Sequence, residues 1–257
     1  RTFAIGRDPM ATRFLTALPV YNEVRHVDAI LAEVRRYSPE VLVVDDGSTD
    51  GTSERLAQIA GIRVERHARN RGYGAGLRTA FDLAIREGYD VLVTIDCDGQ
   101  HEPQRIPEFI RACLDTEADI VSGSRYLKRF PGDSIPPGDR RRINRIITAE
   151  VNRRLGLRLT DAFCGFKAYR AAGLAELRLT EDGYAMPLEL WVQAVRLGWR
   201  IVEVAVPRVY LDESRSFGGA LDRPETRLAA YRRVLDRALA AWPASVAARD
   251  PVVGGAP

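Results

Sequence analysis

Two carboxylates one residue apart, Asp96 and Asp98, are the residues of this chain whose types and spacing most clearly indicate chemistry. They follow an apolar, β-branched run at 91–95, which is typical of a strand buried on both faces. Ligands of open α/β sheets bind at the carboxyl ends of such strands. Two carboxylates there repel each other unless a cation lies nearby, and the hard cations Mg2+ and Mn2+ prefer oxygen ligands. The spacing therefore predicts a metal site, with a solvated Asp-x-Asp-Gly turn as the alternative for an isolated motif.

Polar residues follow two earlier strand patterns in the same way. The first predicted strand is followed by Pro19, Tyr21 and Glu23, and the second by residues 45–52, which begin Asp45-Asp46-Gly47. Acceptors at these two ends suit the edge of a base and the hydroxyls of a ribose, while the aspartate pair suits a metal bound to a diphosphate. Three such sets in chain order predict a nucleotide site.

The elements that must position these residues alternate along the first half of the chain. Strand patterns occur at 14–20, 41–44, 62–65, 91–95 and 120–122, and helix patterns at 27–37, 50–60, 73–87 and 103–114. This alternation predicts an α/β fold with a mostly parallel, twisted sheet and helices on both faces.

The second half of the chain is less regular. A loop rich in proline and glycine at 130–138 precedes patterns for a basic helix at 140–155, a helix at 186–197, a strand at 201–206 and a helix at 224–242. Without repeats or a linker, we expect one catalytic domain at 1–245. Its nucleotide-binding half is 12–125, its acceptor half is 126–245, and 246–257 is a flexible tail.

Composition narrows the class of protein. No apolar stretch reaches the roughly 18 to 20 residues of a membrane span, and three scattered cysteines predict neither a disulfide framework nor a zinc site, which favours the cytoplasm. Net charge is +3, yet residues 125–158 hold ten basic and three acidic residues, a local charge of +7. The acidic remainder and the lack of an aromatic-basic repeat argue against nucleic acid as a partner.

The motifs at 19–23, 44–52, 70–76, 96–101, 123–126 and 161–167 carry a family resemblance. The chain resembles the family-2 glycosyltransferases, and within them the dolichyl- and polyprenyl-phosphate mannose or glucose synthases. The resemblance spans residues 14–170 and implies the nucleotide-diphospho-sugar transferase (A-type glycosyltransferase) fold. It also implies an inverting transfer of a hexose from a GDP- or UDP-sugar to a polyprenyl or dolichyl phosphate, assisted by Mg2+ or Mn2+.

The resemblance also implies roles for individual residues. Residues Pro19, Tyr21, Glu23, Asp46, Arg71, Gly72, Asp96 and Arg215 are expected to bind the substrates, with Arg215 as a phosphate clamp in a divergent segment at 212–219. Metal ligands are expected at Asp96, Asp98 and Gln100, and catalytic roles at Asp98, Arg125 and Asp161.

Several interpretations stay open at this point. The glycine-rich loop at 70–76 either contacts the donor or allows close helix packing. Asp161 is either a base for a hydroxyl acceptor, a group that orients arginines, or a turn cap. Arginines at 140–145 either bind a lipid phosphate and anionic headgroups or form a solvated face. The helix at 224–242 either covers the core or lies on a bilayer. Because no stretch is predicted to span a membrane, we expect any membrane contact to be peripheral.

Two further functions compete with transfer to a lipid phosphate. One is a transferase of the same family acting on a soluble or glycan hydroxyl. The other is a nucleotide-sugar sensor without turnover, against which the intact aspartate pair argues.

Overall fold

An eight-stranded sheet organises the chain, which the computed structural model describes over residues 12–211, 218–241 and 253–255. The strands are β1 (Phe14–Val20), β2 (Val41–Asp45), β3 (Arg63–Arg66), β4 (Val91–Thr94), β5 (Ile120–Ser124), β6 (Lys167–Arg170), β7 (Ile201–Ala205) and β8 (Val253–Gly255). The helices are α1 (Val27–Val34), α2 (Thr52–Leu56), α3 (Tyr73–Arg86), α4 (Ile106–Asp115), α5 (Gly138–Leu155), α6 (Ala171–Leu174), α7 (Met186–Arg196) and α8 (Pro224–Ala241), with short 3-10 helices at Pro103–Arg105 and Gly219–Asp222.

The strands lie in the order β3-β2-β1-β4-β6-β5-β7-β8. All described pairs are parallel except those of β6, which runs antiparallel between β4 and β5. A mostly parallel sheet is therefore confirmed. No strand is predicted at β6, because its four residues begin with a lysine and end with an arginine and lack the apolar run of the other central strands.

Helices cover both faces of the sheet. On one face α1 and α4 bury Leu31 and Phe109 against the strands. On the other, α3, α5, α7 and α8 form a larger core around Phe81 and Trp191. All residues of β2 and β4 are buried, as their apolar composition requires.

The register of the central strands brings the predicted motifs together. Val20 pairs with Asp45 at the ends of β1 and β2, and Ala17 pairs with Thr94 near the end of β4. The segments that follow these three strands therefore leave the sheet at one edge. This edge is where the sequence predicts the nucleotide site.

Helix α8 packs against α7 and α5 and buries Tyr231, Val234 and Leu235. The interpretation that this helix covers the core is confirmed. Among the described residues, no helix has the length and apolarity that crossing a bilayer requires. Of the tail at 246–257, the structure describes Val253–Gly255, which extend the sheet beside β7.

Candidate active site

A cleft of about 730 Å³ opens at the carboxyl edge of the sheet. Nine of the predicted site residues line it: Pro19, Tyr21, Glu23, Asp46, Gly72, Asp96, Asp98, Gln100 and Arg125. Asp161 is buried behind the wall of the cleft. The Arg71 side chain is exposed outside the cleft, and the Arg71 backbone amide binds Asp46. Arg215 falls outside the described residues.

Asp96 is held in place from two sides. The Tyr73 hydroxyl, at the start of α3, donates to its Oδ1 at 3.0 Å, and His101 Nε2 lies 3.1 Å from its Oδ2. Burial alone would raise the pKa of Asp96, but His101 and Tyr73 outweigh this effect and lower it. Asp96 is therefore a fixed, ionised carboxylate.

Asp98 has weaker local support. Its Oδ1 accepts a hydrogen bond from the Gln100 amide at 3.0 Å. Burial and the charge of Asp96 raise the pKa of Asp98, and His101 and Arg125 compensate only in part. Burial and mutual repulsion therefore both disfavour a second negative charge in this pair, which a bound cation would offset.

This donor set fits a hard divalent cation. Mg2+ is commonly held by one or two carboxylates and completes its shell with water and substrate phosphates. Among the described residues, no cluster of three or more carboxylate, histidine or cysteine side chains suited to a metal occurs. The oxygens of Asp96 and Asp98 suit Mg2+ or Mn2+, and Gln100 lines the cleft beside them.

A substitution at Gly165 tests the position of the Asp96 carboxylate, which lies directly against this glycine. A Cβ on Gly165 would lie 2.2 Å from Asp96 Oδ2, so Gly165→Ala must displace that carboxylate. We expect this variant to bind Mn2+ at least about tenfold more weakly, because misplaced ligand support typically costs 10- to 100-fold in metal affinity. Titration calorimetry with Mn2+ measures the effect. Gly138→Ala is the matched control, since nothing lies within 4 Å of its added Cβ. Equal affinity in both variants would contradict the placement of Asp96.

The glycine-rich loop is tied down by Asp46 and by the chain at 181–186. The Arg71 and Gly72 amides donate to Asp46 at 2.9 and 2.7 Å, and His67 Nδ1 lies 2.6 Å from the same carboxylate. The Gly74 amide donates to the Asp182 carbonyl at 2.7 Å, and a Cβ on Gly72 would lie 2.4 Å from that oxygen. Close packing therefore explains these glycines. Contact of this loop with a donor stays a prediction.

Asp161, behind the cleft wall, forms an ion pair with Arg125, which lines the cleft. The Arg125 guanidinium donates to both Asp161 oxygens at 2.7 and 3.1 Å, and Asn144 Nδ2 adds a bond of 2.8 Å. Burial works against ionisation, but Arg125 outweighs it and lowers the pKa of Asp161 to about 2. A carboxylate so placed orients Arg125 and is a poor proton acceptor near neutral pH.

Sequence reasoning missed several residues of the cleft. Its second half is lined by Arg140, Asn144, Tyr210, Arg227 and Tyr231. Of these, Arg140 belongs to the arginines at 140–145 that are candidates for binding a lipid phosphate, and no role in the site is predicted for the other four. Arg227 is buried and donates to the Leu221 carbonyl at 2.9 Å and to Asp139. Its position four residues before Tyr231, on the buried stripe of α8, was the signal that the pattern contained.

Comparisons with known proteins agree with this geometry. The sequence profile described as Glycosyl transferase family 2 matches residues 16–178. A relative from Micrococcus luteus named undecaprenyl-phosphate mannosyltransferase is 37% identical, over 80% of this chain and 88% of its own. A polyprenol monophosphomannose synthase from Mycolicibacterium smegmatis is 34% identical, over 78% of this chain and 80% of its own.

Solved structures share the fold. A glucosyl-3-phosphoglycerate synthase from Mycobacterium tuberculosis, in complex with Mn2+, UDP-glucose and glycerol 3-phosphate, has a TM-score of 0.65 at 21% identity and covers 94% of this chain and 91% of its own. A mannosyl-3-phosphoglycerate synthase from Rubrobacter xylanophilus has a TM-score of 0.65 at 17% identity and covers 90% of this chain and 74% of its own. The predicted A-type glycosyltransferase fold is confirmed. With the profile match and the two relatives, the chain is a glycosyltransferase and belongs to family 2.

Proposed function

We propose that this enzyme transfers mannose, with inversion, from a nucleoside diphosphate mannose to a polyprenyl phosphate. The observation that carries the proposal is the identity of 37% and 34% to two relatives named for this chemistry, over about four fifths of the chain. Both matches extend well beyond the nucleotide-binding half. They therefore include the part of the chain that is expected to select the acceptor.

The first half of the cleft supports donor binding. Pro19, Tyr21 and Glu23 line the side where β1 ends, and Asp46 lies at the end of β2. Asp96 and Asp98 would hold Mg2+ or Mn2+, which when bound offsets charge on the departing diphosphate. A glucosyl-3-phosphoglycerate synthase of the same fold has been solved with Mn2+ and UDP-glucose. GDP and UDP both remain candidates for the nucleotide of this chain.

The second half of the cleft supports an anionic acceptor. Three arginines line it, Arg125, Arg140 and Arg227, and guanidinium groups favour bidentate binding of phosphate. An acceptor phosphate is ionised near neutral pH and needs no base. A hydroxyl acceptor does need one, and Asp161, the carboxylate predicted for that role, is bound through both oxygens to Arg125. The geometry thus favours a phosphate acceptor over a hydroxyl.

Because a polyprenyl phosphate resides in a membrane, we further propose that the enzyme works in peripheral contact with the cytoplasmic face of a bilayer. The exposed arginines of α5 support this placement, since each basic residue near an anionic surface contributes about 1 kcal/mol.

Transfer of label from radioactive GDP-mannose or UDP-mannose tests the proposal. We expect label to enter the organic phase when undecaprenyl phosphate is supplied, to be lost with EDTA, and to return with Mn2+ or Mg2+. Nuclear magnetic resonance of the product should show the anomeric configuration opposite to that of the donor. Label that enters only added glycans would indicate a hydroxyl acceptor. Donor binding without turnover on any acceptor would indicate a sensor.

A further inference from the structure

We propose that a specific surface beside the cleft, here called the lip, inserts into an anionic lipid bilayer and holds the enzyme there. The lip consists of residues 130–137 and 208–211. The inference rests on the proposed function, because a membrane-held acceptor is what gives such a surface its purpose. It goes further by assigning the contact to named residues.

Hydrogen bonds join the two segments of the lip. Between its two segments, the Ser134 amide donates to the Arg208 carbonyl at 2.7 Å, and the Arg208 amide donates to Asp133 at 2.9 Å. The Arg208 side chain returns a bond of 2.9 Å to the Ser134 carbonyl, and the Tyr210 amide donates to the Ser134 hydroxyl at 3.2 Å. Two segments joined in this way present their remaining side chains in a defined direction.

The side chains that the lip presents to solvent are apolar. Ile135 is 84% exposed and Leu211 is 63% exposed, whereas the other exposed large apolar side chains of the described residues reach at most 43%. One of these others, Leu127, lies just before the lip. Apolar side chains this exposed lose contact with water only when a partner covers them, and a bilayer interface is such a partner.

Unpaired positive charge flanks the lip on both sides along the chain. Lys128 and Arg129 precede it, and Arg141, Arg142 and Arg145 follow it on the first turns of α5; all five are exposed. Within the described part of the chain, none of them forms an ion pair. Some exposed arginines elsewhere are paired, such as Arg55 with Asp28 and Arg232 with Glu150. Exposed apolar side chains flanked along the chain by basic residues without ion-pair partners are complementary to an anionic membrane surface.

The lip also borders the cleft. Tyr210 lines the cleft, and the neighbouring Leu211 lies over the metal-site loop, since a Cβ on Gly99 would be 2.8 Å from Leu211 Cδ1. Arg140, on the first turn of α5, lines the cleft as well. Insertion of Ile135 and Leu211 would therefore bring the cleft opening to the level of the lipid headgroups, where an acceptor phosphate lies.

Vesicle sedimentation tests the surface. We expect the protein to bind phosphatidylcholine vesicles that contain phosphatidylglycerol and to bind pure phosphatidylcholine much more weakly. Ile135→Asp should reduce binding about tenfold, because one aliphatic side chain no longer enters the bilayer. The double variant Arg141→Gln, Arg145→Gln should reduce binding about fivefold for each charge removed. Val64→Asp is the matched control, because Val64 is 38% exposed on β3, away from the lip, and should bind as the unmodified protein does. Binding that is unchanged in the lip variants would overturn the proposal.

Activity on two acceptors separates this inference from the proposed function. Ile135→Asp should transfer poorly to undecaprenyl phosphate in vesicles and normally to a short, water-soluble isoprenyl phosphate. Equal loss on both acceptors would overturn the membrane role. So would a dimer in analytical ultracentrifugation that Ile135→Asp dissociates, because the lip would then be an interface between copies. If the unmodified enzyme uses neither acceptor, the proposed function fails, whereas the sedimentation result still decides the surface.

Discussion

Asp98→Asn is expected to lower the rate of metal-dependent sugar transfer by about a thousandfold, because a bound cation contributes several kcal/mol of charge stabilisation and each 1.4 kcal/mol is a factor of ten. The variant keeps the shape of the side chain and still accepts the Gln100 amide through its carbonyl oxygen. It removes one of the two charges that the proposed metal requires. The cation would then have only one carboxylate ligand from the pair, that of Asp96.

The same substitution should not destabilise the protein in the absence of metal. Asp98 is a carboxylate held beside a second carboxylate, and burial and Asp96 both raise its pKa. Its neutral isostere removes that repulsion. We therefore expect the free energy of unfolding of metal-free Asp98→Asn at neutral pH to equal or exceed that of the unmodified protein. Loss of activity combined with unchanged or higher stability would distinguish a missing ligand from a misfolded site.

Calorimetry with Mn2+, single-turnover assays and urea unfolding measure these effects. Asp115→Asn is the matched control, since Asp115 is an exposed carboxylate at the end of α4. It should leave metal affinity, rate and stability unchanged. A fully active Asp98→Asn enzyme, or one that still binds Mn2+ with undiminished affinity, would contradict the metal assignment.

The sequence predicts β1, β2 and β4 well, because each of these strands is an apolar run followed by a polar turn. Phe14–Val20 agrees with its predicted bounds, and 91–95 differs from β4 by one residue. Strand β6 could not be found in this way. Its Lys167 is buried: its Nζ donates to the nearby Cys164 carbonyl and lies 5.5 Å from the ring centroid of Trp191, which only the tertiary structure brings there from α7. Local patterns report burial poorly where a charged residue is buried with a partner from elsewhere in the chain.

The residues of the candidate site are likewise predicted only in part from local sequence patterns. Residues at the ends of β1, β2 and β4 were predicted because parallel strands place their carboxyl ends together. The contacts of Tyr73 and His101 with Asp96 are not predicted, since neither their spacing nor their residue types indicate that these side chains meet the Asp96 carboxylate. Likewise Arg227 reaches the cleft from α8, about 100 residues after Arg125. The pattern of α8 indicates that Arg227 lies on the buried stripe of the helix, but not that it meets Arg125 in one cleft.

Asp161→Asn is expected to destabilise the protein by about 3 to 5 kcal/mol, the usual cost of leaving one member of a buried ion pair without its partner. Asp161 is fully buried, and Arg125 would face an amide in its place. Asp119→Asn is the matched control, because Asp119 lies 3.8 Å from Arg170 in a more exposed pair. Such a pair contributes at most about 1 kcal/mol. Urea unfolding of both variants at neutral pH measures the difference.

The pH dependence of unfolding gives this prediction a second, independent test. The pKa of Asp161 is about 2 in the folded protein, below its ordinary 3.8. Its ionised form therefore stabilises the fold by about 2 kcal/mol above pH 3.8. This contribution is lost as the pH falls from 3.8 to about 2. The Asn variant lacks the titration and should lose stability less steeply there. Equal slopes would show that the Arg125 pair does not hold the carboxylate as described. Since the proposed acceptor site depends on Arg125, the variant should also raise the KM for the lipid phosphate more than the KM for the donor.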